Sequence, residues 1–256
     1  MEGPPFLLVR RGWTLSEKIR IDKLMGQAGL GSRREIGQWI RAGLVAADGC
    51  RVRKPAEKVD PKARITIEGR VQSTNAYAYY LMNKPAGVLS ASRDRAKTVI
   101  DLINKEDLRP GLFPVGRLDK DTTGLLLISN DGRLAHQLLS PRHLVEKTYE
   151  ALLDQPAEET DVKAFQQGFY LLPEGIMTKP ARLILLEARR VQVTITEGKY
   201  HQVKRMFAKV GKEVVALKRI RMGSLSLGDL PEGSYRPLEA EELAALRSLS
   251  DGKQEG

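Results

Sequence analysis

Gly116-Arg117-Leu118-Asp119-Lys120-Asp121-Thr122-Thr123-Gly124 runs directly into Leu125-Leu126-Leu127-Ile128. The first nine residues have loop composition and the next four are continuously apolar. Such a run, bounded by glycine, reads as a buried strand. The junction sets an arginine and a carboxylate, Asp119, just ahead of a sheet core. Gly116 and Gly124 let the backbone turn sharply or approach a bulky ligand. Thr122 and Thr123 are expected to satisfy local backbone groups. A lone loop aspartate is ordinarily solvated surface, so the rest of the chain must decide what Asp119 is for.

With 256 residues the chain can hold one large domain or two smaller ones. Lys and Arg number 42 against 32 Asp and Glu, a formal charge of +10. That balance favours a polyanionic partner, nucleic acid ahead of an anionic membrane. Cys50 is the single cysteine, which excludes an internal disulfide framework and a multi-cysteine zinc site. His136, His143 and His201 lack the spacing of a helical metal site, so no metal is expected. The apolar runs are too short to span a membrane. Phe6 to Val9 is too brief for a signal-peptide core, and Arg10 and Arg11 follow on the wrong side of it. A cytoplasmic protein without membrane contact is the expectation.

Moving towards the N-terminus, Ile21, Leu24, Met25 and Ala28 recur at helical spacing, and Gly29 and Gly31 end that helix. Ser32-Arg33-Arg34-Glu35 has the spacing of a capping box. Ile36, Trp39 and Ile40 give the second helix its buried face, and Gly43 suits its C-terminal stop. Leu44 to Ala46, the turn pair Asp48-Gly49 and a basic strand through Val52 follow. Arg64 to Ile67 is expected to be the last strand of this unit. The polar stretch from Arg70 to Ala76 has no period and reads as linker. The predicted organisation is a first domain over residues 18–70, a linker over 71–76 and a second domain over 77–250, with loose tails outside.

The second domain mixes strands and helices. Val191, Val193 and Ile195 alternate as a half-buried strand, and Leu183 to Leu186 read as a central strand. Tyr200 to Val210 reads as a helix with Val203, Met206, Phe207 and Val210 inward. Val214 to Leu227 reads as a basic strand, and Glu239 to Leu249 as a terminal helix. His136 belongs on a helix from Arg133 to Leu139. The fold class is α+β: a small α/β domain, then a larger one on a mixed or antiparallel sheet.

The segments Arg20 to Leu24, Ala28 to Arg33 and Gly43 to Val45 together resemble the S4 RNA-binding domain. Four further segments occur in order: Asn83-Lys84-Pro85-Ala86-Gly87-Val88; Gly116 to Asp119; Ser140-Pro141-Arg142-His143 with Glu146-Lys147-Thr148-Tyr149; and Glu197-Gly198-Lys199-Tyr200-His201-Gln202-Val203-Lys204-Arg205-Met206. Over residues 77–240 these resemble the bacterial ribosomal RNA pseudouridine synthases, and most of all the branch that isomerises a uridine of small-subunit 16S ribosomal RNA. Large-subunit relatives share the loop but usually differ in the fourth segment.

The resemblance implies particular roles. Asp119 would be the essential carboxylate, acting as a nucleophile at carbon or as a base toward a sugar proton. Tyr149 would stack on the extruded uracil. Lys204 would pair with Asp119. Asp121 is assigned to turn hydrogen bonding, and His201 and Gln202 to structural or substrate-positioning roles. Arg117 would fill the gap left by the base or grip a phosphate, and Arg142, Lys199 and Arg205 would hold RNA, with help from His143. On the S4-like domain, Lys23, Arg33, Arg34, Arg41, Arg51 and Arg53 would face phosphates. The isomerisation conserves atoms, so no cofactor is implied. The implied partner is ribosomal RNA, free or in an assembling small subunit, and the implied state is a monomer. Two rivals use the same motifs differently: a large-subunit synthase, and a non-catalytic S4-type RNA-binding protein. An S4-bearing methyltransferase would need a Gly-rich cofactor turn after a strand, which the chain lacks.

Overall fold

The computed structural model describes residues 18–28, 30–72 and 77–251. The expected tail over 1–17, all but Asp251 of the expected tail over 251–256, and most of the expected linker lie outside these residues, as does Gly29; Asp251 ends the last helix instead. The chain divides into two compact units, with the boundary between residues 76 and 77.

The first unit runs β1 (Ile19–Arg20), α1 (Ile21–Gln27), α2 (Arg33–Ala42), β2 (Val45–Ala47), β3 (Cys50–Arg51), β4 (Lys58–Val59), β5 (Ile65–Ile67) and β6 (Arg70–Gln72). The capping box forms as its spacing predicts: Glu35 N donates to Ser32 Oγ, and Ser32 N donates to Glu35 Oε2 at 2.8 Å. Gly43 closes α2 in the left-handed region at φ 74°, where the Arg51 guanidinium covers the helix end and leaves no room for a Cβ. Ile21, Leu24, Met25, Ile36, Ile40, Val45, Val52 and Ile65 make this unit's own core. Two readings need correction here. Ile65–Ile67 is not the last strand, because Arg70–Gln72 pairs with it as a polar sheet edge. An edge strand with both faces wet carries no alternation, so it reads as linker. The unit also opens with β1, which pairs with β4.

The second unit runs β7 (Tyr79–Lys84), β8 (Phe113–Val115), β9 (Thr123–Ser129), α3 (Gly132–Leu139), β10 (Lys147–Leu153), α4 (Glu159–Gln167), β11 (Tyr170–Leu171), β12 (Ile176–Met177), β13 (Arg182–Leu185), β14 (Arg190–Ile195), α5 (Gln202–Lys209), β15 (Val214–Met222), β16 (Leu225–Ser226), β17 (Tyr235–Pro237) and α6 (Ala240–Asp251). One mixed sheet orders β13-β14-β10-β15-β9-β7-β17, with β8 on β9 and β16 on β15. The pair β15–β9 is parallel and the others are antiparallel. The α+β reading therefore holds.

Leu126 and Ile128 enter a core built with α4 and α5, while Leu125 and Leu127 enter another built with α3 and α6. The opening apolar run is thus a strand buried on both faces. Leu183 to Leu186 is not central: β13 is an outermost strand, and Ile184 and Leu186 are exposed while Leu183 is buried. Position within a sheet depends on pairing between distant strands, which hydrophobicity of one strand does not encode. The reading of Val214 to Leu227 as one strand becomes a long strand, a turn at Gly223 and the short return β16.

Candidate active site

The loop from Gly116 to Thr122 joins β8 to β9 and is fixed from beneath by the first motif. Lys84 ends β7 fully buried, and its Nζ donates to the backbone oxygens of Pro85 (2.9 Å), Lys120 (3.2 Å) and Thr122 (2.9 Å). An ammonium has three donors, and here each finds a carbonyl. Burial pulls Lys84 down to about 8, opposed by the charges of Asp121 and Asp119. Ser90 Oγ donates to Leu118 O and accepts from Leu118 N, a second tie. Gly87 N donates to Lys120 O at 2.8 Å. The Asn-Lys-Pro segment thus acts as a clamp on the aspartate loop, a role its sequence alone does not reveal.

Gly124, just inside β9, has φ 100°, and a Cβ there would lie 2.2 Å from Arg219 O. The parallel pairing of β9 with β15 requires that closeness. Thr122 differs from expectation. Its backbone carries the local bonds, with N donating to Asp119 O, while its buried hydroxyl has no hydrogen-bond partner among the described residues. Thr122 is also among the residues that line the pocket.

That pocket, about 80 Å³, is lined by Arg117, Asp119, Thr122, Tyr149, Lys199, His201, Gln202, Lys204 and several apolar side chains. Segments far apart in sequence therefore converge. Tyr149 sits within the sheet on β10, is buried as part of the core shared with α4 and α5, and also lines the pocket. The Arg219 guanidinium lies 6.0 Å from its ring centroid. Arg219 is itself buried; its Nε donates to Leu125 O, and Nη2 has no partner among the described residues.

The electrostatic arrangement is richer than the expected Asp119–Lys204 pair. Lys204 Nζ is 3.8 Å from Asp119 Oδ2 but 2.7 Å from both oxygens of Asp121. The hydrogen bond to Lys204 holds the Asp121 carboxyl below the usual carboxylate range. Asp121 is thus an ion-pair partner reached across 83 positions, beyond the turn role its neighbours indicate. His201 Nε2 approaches the other carboxylate oxygen, Asp119 Oδ1, at 3.4 Å. Arg205 does not compete for Asp119: it pairs with Glu174 and donates to Leu172 O and Tyr200 O. The nearest basic side chain on α5 is Lys204, early in the helix; the helix begins at Gln202, later than the spacing predicts.

Among the other expected RNA contacts, Arg117 and Arg142 are exposed, and Lys199 pairs with Glu197 at 2.9 Å. Lys23, Arg33, Arg34, Arg41, Arg51 and Arg53 are all exposed on the first unit. His136 lies in α3, and His143 is half-buried after it. No group of three metal-ligating side chains occurs among the described residues, and no described helix is long and apolar enough to cross a membrane.

Comparison with known proteins adds an independent measure. Residues 78–209 match the family model for RNA pseudouridylate synthase, and residues 19–65 match that for the S4 domain. The chain is 40% identical over 230 residues to the ribosomal small subunit pseudouridine synthase A of Escherichia coli (strain K12), covering 89% of this chain and 100% of that one. It is 46% identical over 235 residues to an uncharacterized RNA pseudouridine synthase, YtzG, of Bacillus subtilis (strain 168), covering 89% and 98%. A solved pseudouridylate synthase aligns with a TM-score of 0.64 at 37% identity, over 89% of this chain and 99% of that one.

Proposed function

Since the chain belongs to the RNA pseudouridylate synthase family, we propose that it isomerises one uridine of small-subunit (16S) ribosomal RNA to pseudouridine. The observation that carries this reading is the convergence of Asp119, Tyr149 and Lys204 on one pocket, in a chain similar over nearly its whole length to small-subunit enzymes.

The reaction breaks N1–C1′, turns the uracil and joins C5 to C1′. The hydrogen on C5 leaves, and N1 gains one. The target base must leave its stack to reach a carboxylate set in a pocket. Tyr149 offers a flat surface at the pocket wall, where stacking holds the extruded base. Asp119 then acts as nucleophile at carbon or as base toward a sugar proton. Lys204 lies close enough to stabilise its negative charge by Coulomb attraction. Arg117, exposed at the pocket mouth, is placed to grip a phosphate or fill the gap in the stack. The S4 unit supplies RNA affinity through its exposed basic residues. Ribosomal RNA, free or in an assembling particle, is the partner.

The test is Asp119→Asn. Turnover of a small-subunit RNA transcript, followed by carbodiimide labelling of pseudouridine, should vanish, while RNA affinity stays within a few-fold because phosphate contacts dominate it. Appreciable turnover by the purified variant would refute the assignment.

A further inference from the structure

Next to the pocket, Tyr200 is 70% exposed, the highest exposure among the large apolar and aromatic side chains described. Its ring is nevertheless held. It stacks on His201 with centroids 3.8 Å apart and planes 18° from parallel. His201 is turned into the left-handed region at φ 46°, which side-chain-bearing residues rarely adopt. Arg205 Nη1 donates to Tyr200 O at 3.1 Å while the same guanidinium grips Glu174 beyond β11. Gln202 links Lys199 N to Glu197. The turn that carries Tyr200 is therefore pinned on several sides, and among the described residues no ring lies against the face turned away from His201. His201 in turn reaches Asp119 at 3.4 Å, so one imidazole contacts both Tyr200 and the reacting carboxylate.

An exposed aromatic fixed in this way forgoes the gain of burial and gives up side-chain freedom, and a flat surface laid on it would recover the first. Lys199, Lys204 and Arg205 flank Tyr200 in the sequence, each paired with a carboxylate that a phosphate could replace, and the chain as a whole carries a formal charge of +10, which suits a polyanion. Extrusion of a uridine leaves neighbouring bases unstacked, and single-stranded bases are received on aromatic side chains. We infer that Tyr200 is a stacking platform for an unpaired RNA base beside the target uridine, a subsite separate from the Tyr149 surface. This rests on the proposed function, because it presumes that the pocket receives RNA. Stacking depends on the flat ring and tolerates any base.

The experiment uses the full chain and a small-subunit ribosomal RNA transcript tritiated at uridine C5, since forming the C5–C1′ bond expels that hydrogen. Tyr200→Ala should raise KM by roughly 5- to 150-fold, the range for losing one base stack, while kcat stays within a few-fold. Tyr200→Phe and Tyr200→Trp should behave like the parent. An unchanged KM in Tyr200→Ala would overturn the platform, and so would Tyr200→Leu performing as well as Tyr200→Phe. Equilibrium binding of the same transcript, measured on Asp119→Asn with and without Tyr200→Ala, reads the subsite without turnover. If the parent releases no tritium, the proposed reaction fails, and the binding pair still decides for or against Tyr200.

Discussion

At the residue scale, the site is organised around two carboxylates that share one lysine. Lys204 bonds Asp121 at hydrogen-bond distance and Asp119 only at the edge of ion-pair distance. Lys204→Met should reduce kcat by roughly 10- to 150-fold, the worth of a hydrogen bond to a charged group. Asp121→Asn should cost less than about tenfold, because the freed ammonium can turn to Asp119. Single-turnover tritium release measures both, and an Asp121→Asn loss equal to that of Asp119→Asn would make Asp121 the reacting group. Lys84 yields a pH prediction. As pH rises through about 8 it loses its proton, and a neutral amine has two donors for three carbonyls. Loop order and kcat should fall with a midpoint near pH 8, a phase absent from Lys84→Met, which should be weakly active throughout. Global stability moves the other way. The unfolded chain keeps this lysine protonated up to about 10.5, so between 8 and 10.5 it binds more protons than the folded chain, and this group's contribution favours folding as pH rises. Asp119 is legible in sequence because its loop is a contiguous pattern. Lys84 beneath the loop and Arg219 behind Tyr149 are not, since each acts through atoms brought close only by the sheet.

At the element scale, local chemistry is readable from sequence and pairing is not. The capping box at Ser32 and the stop at Gly43 are decided within a few residues, and both form as their spacing predicts. The apolar run after Gly124 marks a buried strand because no solvated arrangement suits it. Whether a strand lies at the edge or centre depends on its neighbours, and this is why composition misplaces β13 and β6. The junction of β9 with β15 makes a sharp test. Only two residue pairs join these strands in register, and Gly124 is in one of them. Gly124→Ala would force a Cβ into the Arg219 backbone at a φ unsuited to side chains. It should destabilise the chain by more than about 2 kcal/mol, combining backbone strain with the displacement of two paired strands. Chemical denaturation reads that destabilisation, and turnover should fall with it, because Gly124 lies at the start of the strand that the Asp119 loop runs into. A stable, active Gly124→Ala chain would show that the parallel pairing is not needed to hold the loop.

At the scale of the whole molecule, each unit carries its own core. Buried residues from Ile21 to Ile65 serve the first, and those from Tyr80 to Leu246 serve the second. Because Arg70–Gln72 completes the first unit's sheet, a division must fall after it. A chain beginning at Tyr77 should fold and keep Asp119, Tyr149 and Lys204 together, since every interaction described at that site lies within the second unit. It should bind the small-subunit transcript more weakly. Every phosphate that Arg33, Arg34, Arg41 or Arg53 would have neutralised should, once that arginine is removed, take about 0.7–0.9 from the slope of log affinity against log salt. The S4 unit would supply binding that is equal for ground state and transition state, so its removal should fall on KM while kcat at saturating RNA changes little. Salt titrations of binding and a comparison of both kinetic constants, full chain against shortened chain, decide the matter. An unchanged slope would mean that the S4 unit does not touch this RNA, and that its basic residues are solvated surface; an equal fall in kcat would mean that it helps to bring the uridine into the pocket.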